Sequence, residues 1–202
     1  MDTKLTSLPG YRYCEYMLVL SPHEDLRNRI TGIKKEFNAR FKADQSGVGK
    51  PHIMLAQFTV WQMMEEKIVN RLKVIAMGNP PFKVMLNNFG SYPSHTIFIN
   101  VTTKIPIQNI VKEMRSFRRL MKSPEKDPYF NEDPHITIAR KLMPDQYEKS
   151  WLEYAHRNFT GSFIADGMLL LKRYQGEKAY QIVQRFEFGN LPVLTRQGEL
   201  FG

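Results

Sequence analysis

The tripeptide Pro-His-Ile occurs twice in this chain, with an offset of 83 from His52 to His135. Each copy opens a short apolar run that is typical of a buried strand. Around each copy the same order of strand, helix, loop, strand, helix and strand is predicted. We therefore interpret the chain as an internal duplication of about 80 residues that has diverged almost everywhere except at the two histidines.

The hydrophobic pattern predicts an α+β fold. Strands are expected over residues 13–20, 51–59, 82–89, 96–102, 134–140, 159–166, 168–174 and 180–188. Helices are expected over 26–37, 64–75, 107–122 and 144–157, with loops over 43–50 and 123–134, and Ser21 is a candidate cap for the first helix. The sequence thus predicts one domain, residues 1–202. Its first lobe would span about 12–90, its second about 95–188, and a loose tail would cover 189–202.

Composition excludes several other classes of protein. The single cysteine, Cys14, leaves no disulfide framework and no cysteine-based zinc site. No apolar stretch approaches the roughly 20 residues of a membrane helix, so we expect a cytoplasmic protein with no membrane partner. The net charge of +9 comes from 29 Lys and Arg against 20 Asp and Glu. That excess favours an anionic partner such as RNA, a nucleotide or a phosphoester, and it also fits a basic protein without one.

The two histidines are the candidates for chemistry. Side chains at positions i and i+2 of a strand share a face, so His135 is expected beside Thr137 and His52 beside Met54. Two lobes related by a pseudo-twofold axis would turn these faces toward each other across a central cleft. One imidazole can then act as a general base and the other as a general acid on a phosphodiester. A neighbouring hydroxyl can bind a non-bridging phosphate oxygen, and no metal or cofactor is required.

The paired motifs resemble those of the two-histidine (2H) phosphoesterase superfamily, in its 2′-5′ RNA ligase-like branch. They read His52-Ile53-Met54-Leu55 and His135-Ile136-Thr137-Ile138. The segments 170–174 and 180–183 are similar to the last strands of that branch, and the resemblance covers about residues 12–188. It implies a duplicated, two-lobed LigT-like fold and a metal-independent phosphodiesterase. The implied substrates are 2′,3′-cyclic phosphates or 2′-5′ bonds in RNA or nucleotides. His52 and His135 would be the catalytic pair, in an unassigned order, and Thr137 would bind phosphate.

Met54 departs from the family pattern, which has Thr or Ser at that position. A thioether cannot donate a hydrogen bond to phosphate, so a weakened or inactive RNA- or nucleotide-binding protein is the alternative function. Gln57 is the counterpart of Arg140, and Arg140 is expected on the face opposite His135 if the strand is regular. The candidate substrate contacts are Met54, Lys50, Tyr129, Phe130 and Tyr174.

Other interpretations remain open at this point. The histidines could be ordinary core residues, Thr137 a plain strand residue, and Tyr129 and Phe130 anchors that pin their loop to the core. The basic residues of the third helix, Lys112, Arg115, Arg119 and Lys122, fit either an RNA track or a solvated helix face. An interaction domain with an unrelated role is a third class of function. We expect a monomer, because two lobes complete the pseudo-symmetric unit.

Overall fold

A computed structural model describes residues 10–43, 49–189 and 191. Within these residues, four helices and nine strands follow one another in the order β1 (Tyr13–Leu20), α1 (Glu24–Phe41), β2 (Ile53–Trp61), α2 (Glu65–Gly78), β3 (Phe82–Tyr92), β4 (Thr96–Val101), α3 (Ile105–Arg115), β5 (Tyr129–Phe130), β6 (His135–Arg140), α4 (Pro144–Tyr154), β7 (Thr160–Ala165), β8 (Gly167–Tyr174) and β9 (Gln181–Glu187). Short 3-10 turns cover Gln62–Met64 and Arg118–Met121. Most of the predicted tail, and the glycine at position 47, lie outside the described residues.

The strands form two antiparallel sheets. The first sheet has the order β5-β2-β1-β8-β9, and the second has the order β6-β4-β3-β7. Helices α2 and α3 pack against the first sheet, whereas α1 and α4 pack against the second. Each sheet buries alternate apolar residues under its helices. The result is the predicted α+β fold with two lobes and a cleft between the two uncovered sheet faces.

The duplication is visible in the strand register. Leu20 pairs with Ile53, and Ile99 pairs with Ile136. Since Leu20 and Ile99 are thus equivalent, β1 and β4 differ by 79 positions, while the histidine strands differ by 83. The offset of 83 predicted for β1 was therefore too long by four. Each histidine strand also carries a β-bulge at the same place, beside Leu18/Val19 in one sheet and Ile97/Phe98 in the other.

The two sheets do not coincide with the two halves of the sequence. Strand β3, from the first repeat, lies in the second sheet beside β4, and β8, from the second repeat, lies in the first sheet beside β1. The predicted lobe ranges 12–90 and 95–188 therefore differ from the observed sheets. The first repeat contributes β3 to the second sheet, and the second repeat contributes β5, β8 and β9 to the first sheet, which interlocks the lobes.

Two local predictions were wrong. Ser21 does not cap α1, because its hydroxyl donates to the Pro22 carbonyl and the helix is preceded by His23. The basic helix predicted to continue past residue 115 ends at Arg115. Arg115 is paired with Glu132, and Lys122 lies 3.1 Å from Asp127. These pairings favour the interpretation of the basic residues as a solvated surface.

Candidate active site

His135 begins strand β6 and has a tightly fixed imidazole. Its Nδ1 lies 2.7 Å from the carbonyl oxygen of Asp133, and its ring packs 4.7 Å from the Phe98 ring and 5.4 Å from the Tyr92 ring. A neutral imidazole at this distance from a carbonyl donates its Nδ1 proton. The other ring nitrogen, Nε2, is therefore left with its lone pair.

His52 is held in the same way just before strand β2. Its Nδ1 lies 2.8 Å from the carbonyl oxygen of Lys50, again the residue two positions earlier. Pro51 and Pro134 separate each histidine from its carbonyl partner. Proline restricts the preceding residue to extended backbone, which helps to orient that carbonyl toward the imidazole. The repeated Pro-His pair thus orients each ring through its Nδ1 and leaves its Nε2 out of this hydrogen bond.

Burial lowers the pKa of both imidazoles, but their charged neighbours differ. The cations of Lys34 and Arg140 lower the pKa of His52 further, whereas its hydrogen bond with the Lys50 carbonyl raises the pKa. For His135, the Asp133 backbone carbonyl and carboxylate raise the pKa again, and Lys104 lowers it. Both histidines are accordingly neutral near pH 7, and among the described residues only His135 has an acidic neighbour that favours its protonated form.

Two hydrogen bonds hold the carboxylate of Asp133, the residue whose backbone contacts His135. The Tyr92 hydroxyl donates to Asp133 Oδ2 at 2.7 Å, and Lys104 Nζ donates to Oδ1 at 2.7 Å. The hydrogen bond from Lys104 contributes most to lowering the pKa of the Asp133 carboxyl. Asp133 therefore stays ionised and offers its negative charge to His135 at neutral pH.

The β-bulge changes the position of Arg140. His135, Thr137 and Arg140 pair with Asn100, Phe98 and Thr96, which are alternate residues of β4. They therefore share one sheet face, although a regular strand would turn Arg140 away. The prediction of opposite faces was wrong because one extra residue, Ile138, is inserted between Thr137 and Ala139. The same bulge in β2 keeps His52, Met54 and Gln57 on one face.

The faces of the two motifs approach each other. Strands β2 and β6 come into contact across the sheets. Arg140, from the second sheet, acts electrostatically on His52 of the first. At the other end, Tyr129 of the first sheet acts on the Tyr92 hydroxyl of the second. The cleft thus has a His52 end next to Arg140 and a His135 end next to Tyr129.

Two of the predicted substrate contacts, Tyr129 and Phe130, lie on opposite faces of the first sheet. Tyr129 pairs with Gln57 on the cleft face and is 53% exposed. Phe130 pairs with Ala56, packs against the core and lies under the Arg115 guanidinium. Tyr129 is therefore placed to stack on a base, whereas Phe130 anchors the strand.

Lys50 and Tyr174 have different positions. Lys50 is exposed beside His52. Tyr174 pairs with Cys14 on the helix-covered side of the first sheet, so it does not join the other candidates. Gln57 lies on the cleft face, and its Nε2 donates to Glu15, so one of the two N–H groups of its amide is already used.

Several site residues were not found from the sequence. Tyr92, Phe98, Asp133, Lys104 and Lys34 surround the two imidazoles through strand pairing and helix packing between distant segments. The position two residues before each histidine is the one signal that could have identified Asp133. The others carry no local pattern in a single sequence.

The described part of the chain shows neither a metal-binding cluster nor a membrane-spanning helix. Within residues 10–43 and 49–189, no group of three or more histidine, cysteine or carboxylate side chains is arranged to hold a metal ion. In the same part of the chain, no helix is both long and apolar enough to cross a membrane.

Two sheets that present paired histidine motifs across a cleft define a protein of the two-histidine phosphoesterase type. A family model described as the 2′-5′ RNA ligase superfamily matches residues 22–177. The chain therefore belongs to the 2′-5′ RNA ligase superfamily, as its motifs predicted. No curated protein matches the chain.

Solved structures share the same fold. Escherichia coli LigT complexed with 3′-AMP superposes with a TM-score of 0.59 at 16% identity, covering 88% of this chain and 98% of that one. LigT complexed with NADP+ gives 0.60 at 17% identity, with 88% and 99% covered. TT0787 of Thermus thermophilus gives 0.62 at 16% identity, with 87% and 98% covered. At these identities the likeness establishes the fold.

Proposed function

We propose that this protein is a metal-independent phosphodiesterase that acts on 2′,3′-cyclic phosphates or 2′-5′ phosphodiester bonds of RNA or nucleotides. The observation that carries the proposal is the matched support of the two imidazoles. Each has its Nδ1 on the carbonyl two residues earlier, which leaves two Nε2 atoms for one base and one acid. Membership of the superfamily supports the same chemistry. The LigT complexes with 3′-AMP and ATP support a nucleotide as ligand.

The neighbouring charges suggest which histidine takes which role. Lys34 and Arg140 favour neutral His52, and a neutral imidazole can take a proton. Asp133 favours protonated His135, and an imidazolium can give one. In ring opening of a cyclic phosphate, His52 would remove a proton from water as it attacks phosphorus. His135 would protonate the ribose oxygen as its bond to phosphorus breaks, and Thr137 would donate to a non-bridging oxygen.

The test is turnover of 2′,3′-cyclic AMP, and of a short RNA ending in a cyclic phosphate, with EDTA present. We expect wild-type turnover and a loss of about 100-fold or more in His52→Ala and in His135→Ala, since general acid–base catalysis typically contributes that much. The exposed His156 provides a matched control, His156→Ala, which should retain wild-type activity. An active His52→Ala/His135→Ala double variant would refute the proposal.

Met54 motivates the second candidate function, an RNA- or nucleotide-binding protein with little turnover. It predicts binding of the same RNA that weakens as salt increases, without product. Binding that does not respond to salt would argue against it.

A further inference from the structure

The chain crosses from the first sheet to the second immediately before His135. Strand β5 of the first sheet ends at Phe130, and β6 of the second sheet begins at His135. Only residues 131–134 separate the two strands, so their conformation helps to set where His135 lies relative to the first histidine motif. Asn131 is 2% exposed, and its backbone N–H donates to the Leu55 carbonyl oxygen at 2.9 Å. The crossing therefore starts from a fixed point on β2.

The Asn131 side chain is hydrogen-bonded in two directions. Its Nδ2 donates to the Met54 carbonyl oxygen at 2.8 Å, and its Oδ1 accepts the Asp133 backbone N–H at 3.3 Å. The second bond forms an Asx turn, in which a side-chain carbonyl accepts the N–H two residues further on. Burying an amide is costly unless its polar groups are paired. Here one amide pairs with the backbone of the first motif and with the turn before the second.

The Asp133 backbone extends this connection to the imidazole. Its carbonyl oxygen lies 2.7 Å from Nδ1 of His135. Three hydrogen bonds in series, the first two made by Asn131, thus connect the Met54 carbonyl to the His135 ring. Other side chains hold the Asp133 carboxylate, whereas Asn131 acts on the Asp133 backbone, which supplies the carbonyl that orients the ring.

We propose that Asn131 is a positioning residue that fixes the His135 imidazole relative to the first histidine motif. An acid and a base on opposite sheets must reach the same phosphodiester, and a small misplacement of one reacting group lowers the rate strongly. Asn131 acts through backbone groups of Met54 and Asp133 and not on the substrate. The consequence for catalysis rests on the proposed function, whereas the effect on the imidazole does not.

The tautomer of His135 tests the proposal without turnover. In wild type the neutral ring should carry its proton on Nδ1, because Nδ1 donates to the Asp133 carbonyl, and nitrogen NMR distinguishes this form from the Nε2–H form. Asn131→Ala removes the Asx turn that orients this carbonyl, so His135 should become a mixture of the two tautomers. His52, whose Nδ1 is held by the Lys50 carbonyl, should keep the Nδ1–H form.

Asn131→Ser separates the two bonds of this side chain. A serine hydroxyl still accepts the N–H two residues further on, but it is too short to reach the Met54 carbonyl. This variant should therefore keep the Nδ1–H form of His135 and lose the connection to the first motif. We expect kcat on 2′,3′-cyclic AMP to fall about tenfold in both variants with little change in KM, because a misplaced acid weakens transition-state binding more than substrate binding.

The matched control is Asn79→Ala, which removes a side-chain amide bond to the Ile75 carbonyl at the C-cap of α2. It should lower thermal stability without changing the tautomer of His135 or kcat. An unchanged tautomer in Asn131→Ala would overturn the proposal. So would a wild-type kcat in Asn131→Ser, since the bond to Met54 would then have no role. If wild type turns over neither substrate, a tautomer change in Asn131→Ala that is absent from the control would sustain the positioning role and refute the phosphodiesterase.

Discussion

At the scale of single residues, Met54 is the main difference between the two motifs. It pairs with Val19, as Thr137 pairs with Phe98, so the two side chains occupy equivalent places beside the two histidines. One offers a hydroxyl and the other a thioether, which cannot donate. The pseudo-symmetry of the site is therefore broken in its side chains and kept in its backbone.

Restoring the hydroxyl should increase activity. We expect Met54→Thr to raise kcat/KM for 2′,3′-cyclic AMP by about tenfold, which is less than the effect of a whole oxyanion donor because Lys34 and Arg140 already provide positive charge there. Steady-state kinetics measure the change.

The control for this variant is Met54→Val, which has the same branched shape as threonine without its oxygen. It should not gain activity. An equal gain in both variants would assign the effect to side-chain shape and would contradict a role for the hydroxyl.

At the scale of elements, Gly90 of β3 lies very close to side chains of β4, in the sheet that carries the second motif. A Cβ at this position of β3 would lie 2.6 Å from the Phe98 ring and 2.6 Å from Asn100 Oδ1. Phe98 in turn packs on the His135 ring. The absence of a side chain in β3 thus lets Phe98 support His135 from the neighbouring strand β4.

Gly90→Ala should therefore disturb one end of the cleft. We expect a loss of about 1–3 kcal/mol in the free energy of unfolding, as overpacking causes. The NMR signals of His135 should shift, and those of His52 should not. Gly32 on helix α1 is the control, since a Cβ there meets nothing within 4 Å. Gly32→Ala should keep or increase stability, and a His52 shift as large as that of His135 would contradict the local role of Gly90.

The elements themselves were largely predictable from the sequence. Apolar periodicity gave α2 and α4 and the strands from β6 to β9 to within a few residues, and the repeated Pro-His-Ile located both motifs. Strand β5 was missed because two residues, Tyr129 and Phe130, carry no periodic signal. The bulges were missed because they depend on pairing with β1 and β4, and they decide on which face Arg140 lies.

At the scale of the whole molecule, the exchange of β3 and β8 between the sheets could not be read from the sequence. The pairing of β8 with β1 joins residues 150 to 160 positions apart, which no local pattern encodes, although the pairing of β3 with β4 is a local hairpin. The exchange nevertheless preserves the pseudo-twofold relation of the motifs. Lys34 of α1 and Arg140 of β6 act electrostatically on His52, whereas Asp133 contacts His135. The backbone of the cleft is therefore symmetric, whereas the charged side chains differ between its two ends.

The difference in charge between the two ends of the cleft predicts the pH dependence of catalysis. His52 acts as a base only when neutral, so activity falls as pH drops through its pKa. His135 acts as an acid only when protonated, so activity falls as pH rises through its pKa. Burial lowers both values below the ordinary value of about 6.5. The profile of kcat/KM, which reports the free protein, should be bell-shaped with its maximum below pH 6.5.

Changing one charge should move one limb of this profile. Asp133→Asn keeps the backbone carbonyl that holds Nδ1 but removes the negative charge that raises the pKa of His135. The alkaline limb should therefore shift to lower pH, and the acidic limb should stay in place. The exposed Glu132, which is bonded to Arg115, gives the matched control Glu132→Gln, whose profile should equal that of wild type. A shift of the acidic limb in Asp133→Asn would reverse the roles of the two histidines, since the limb that moves belongs to the imidazole beside Asp133.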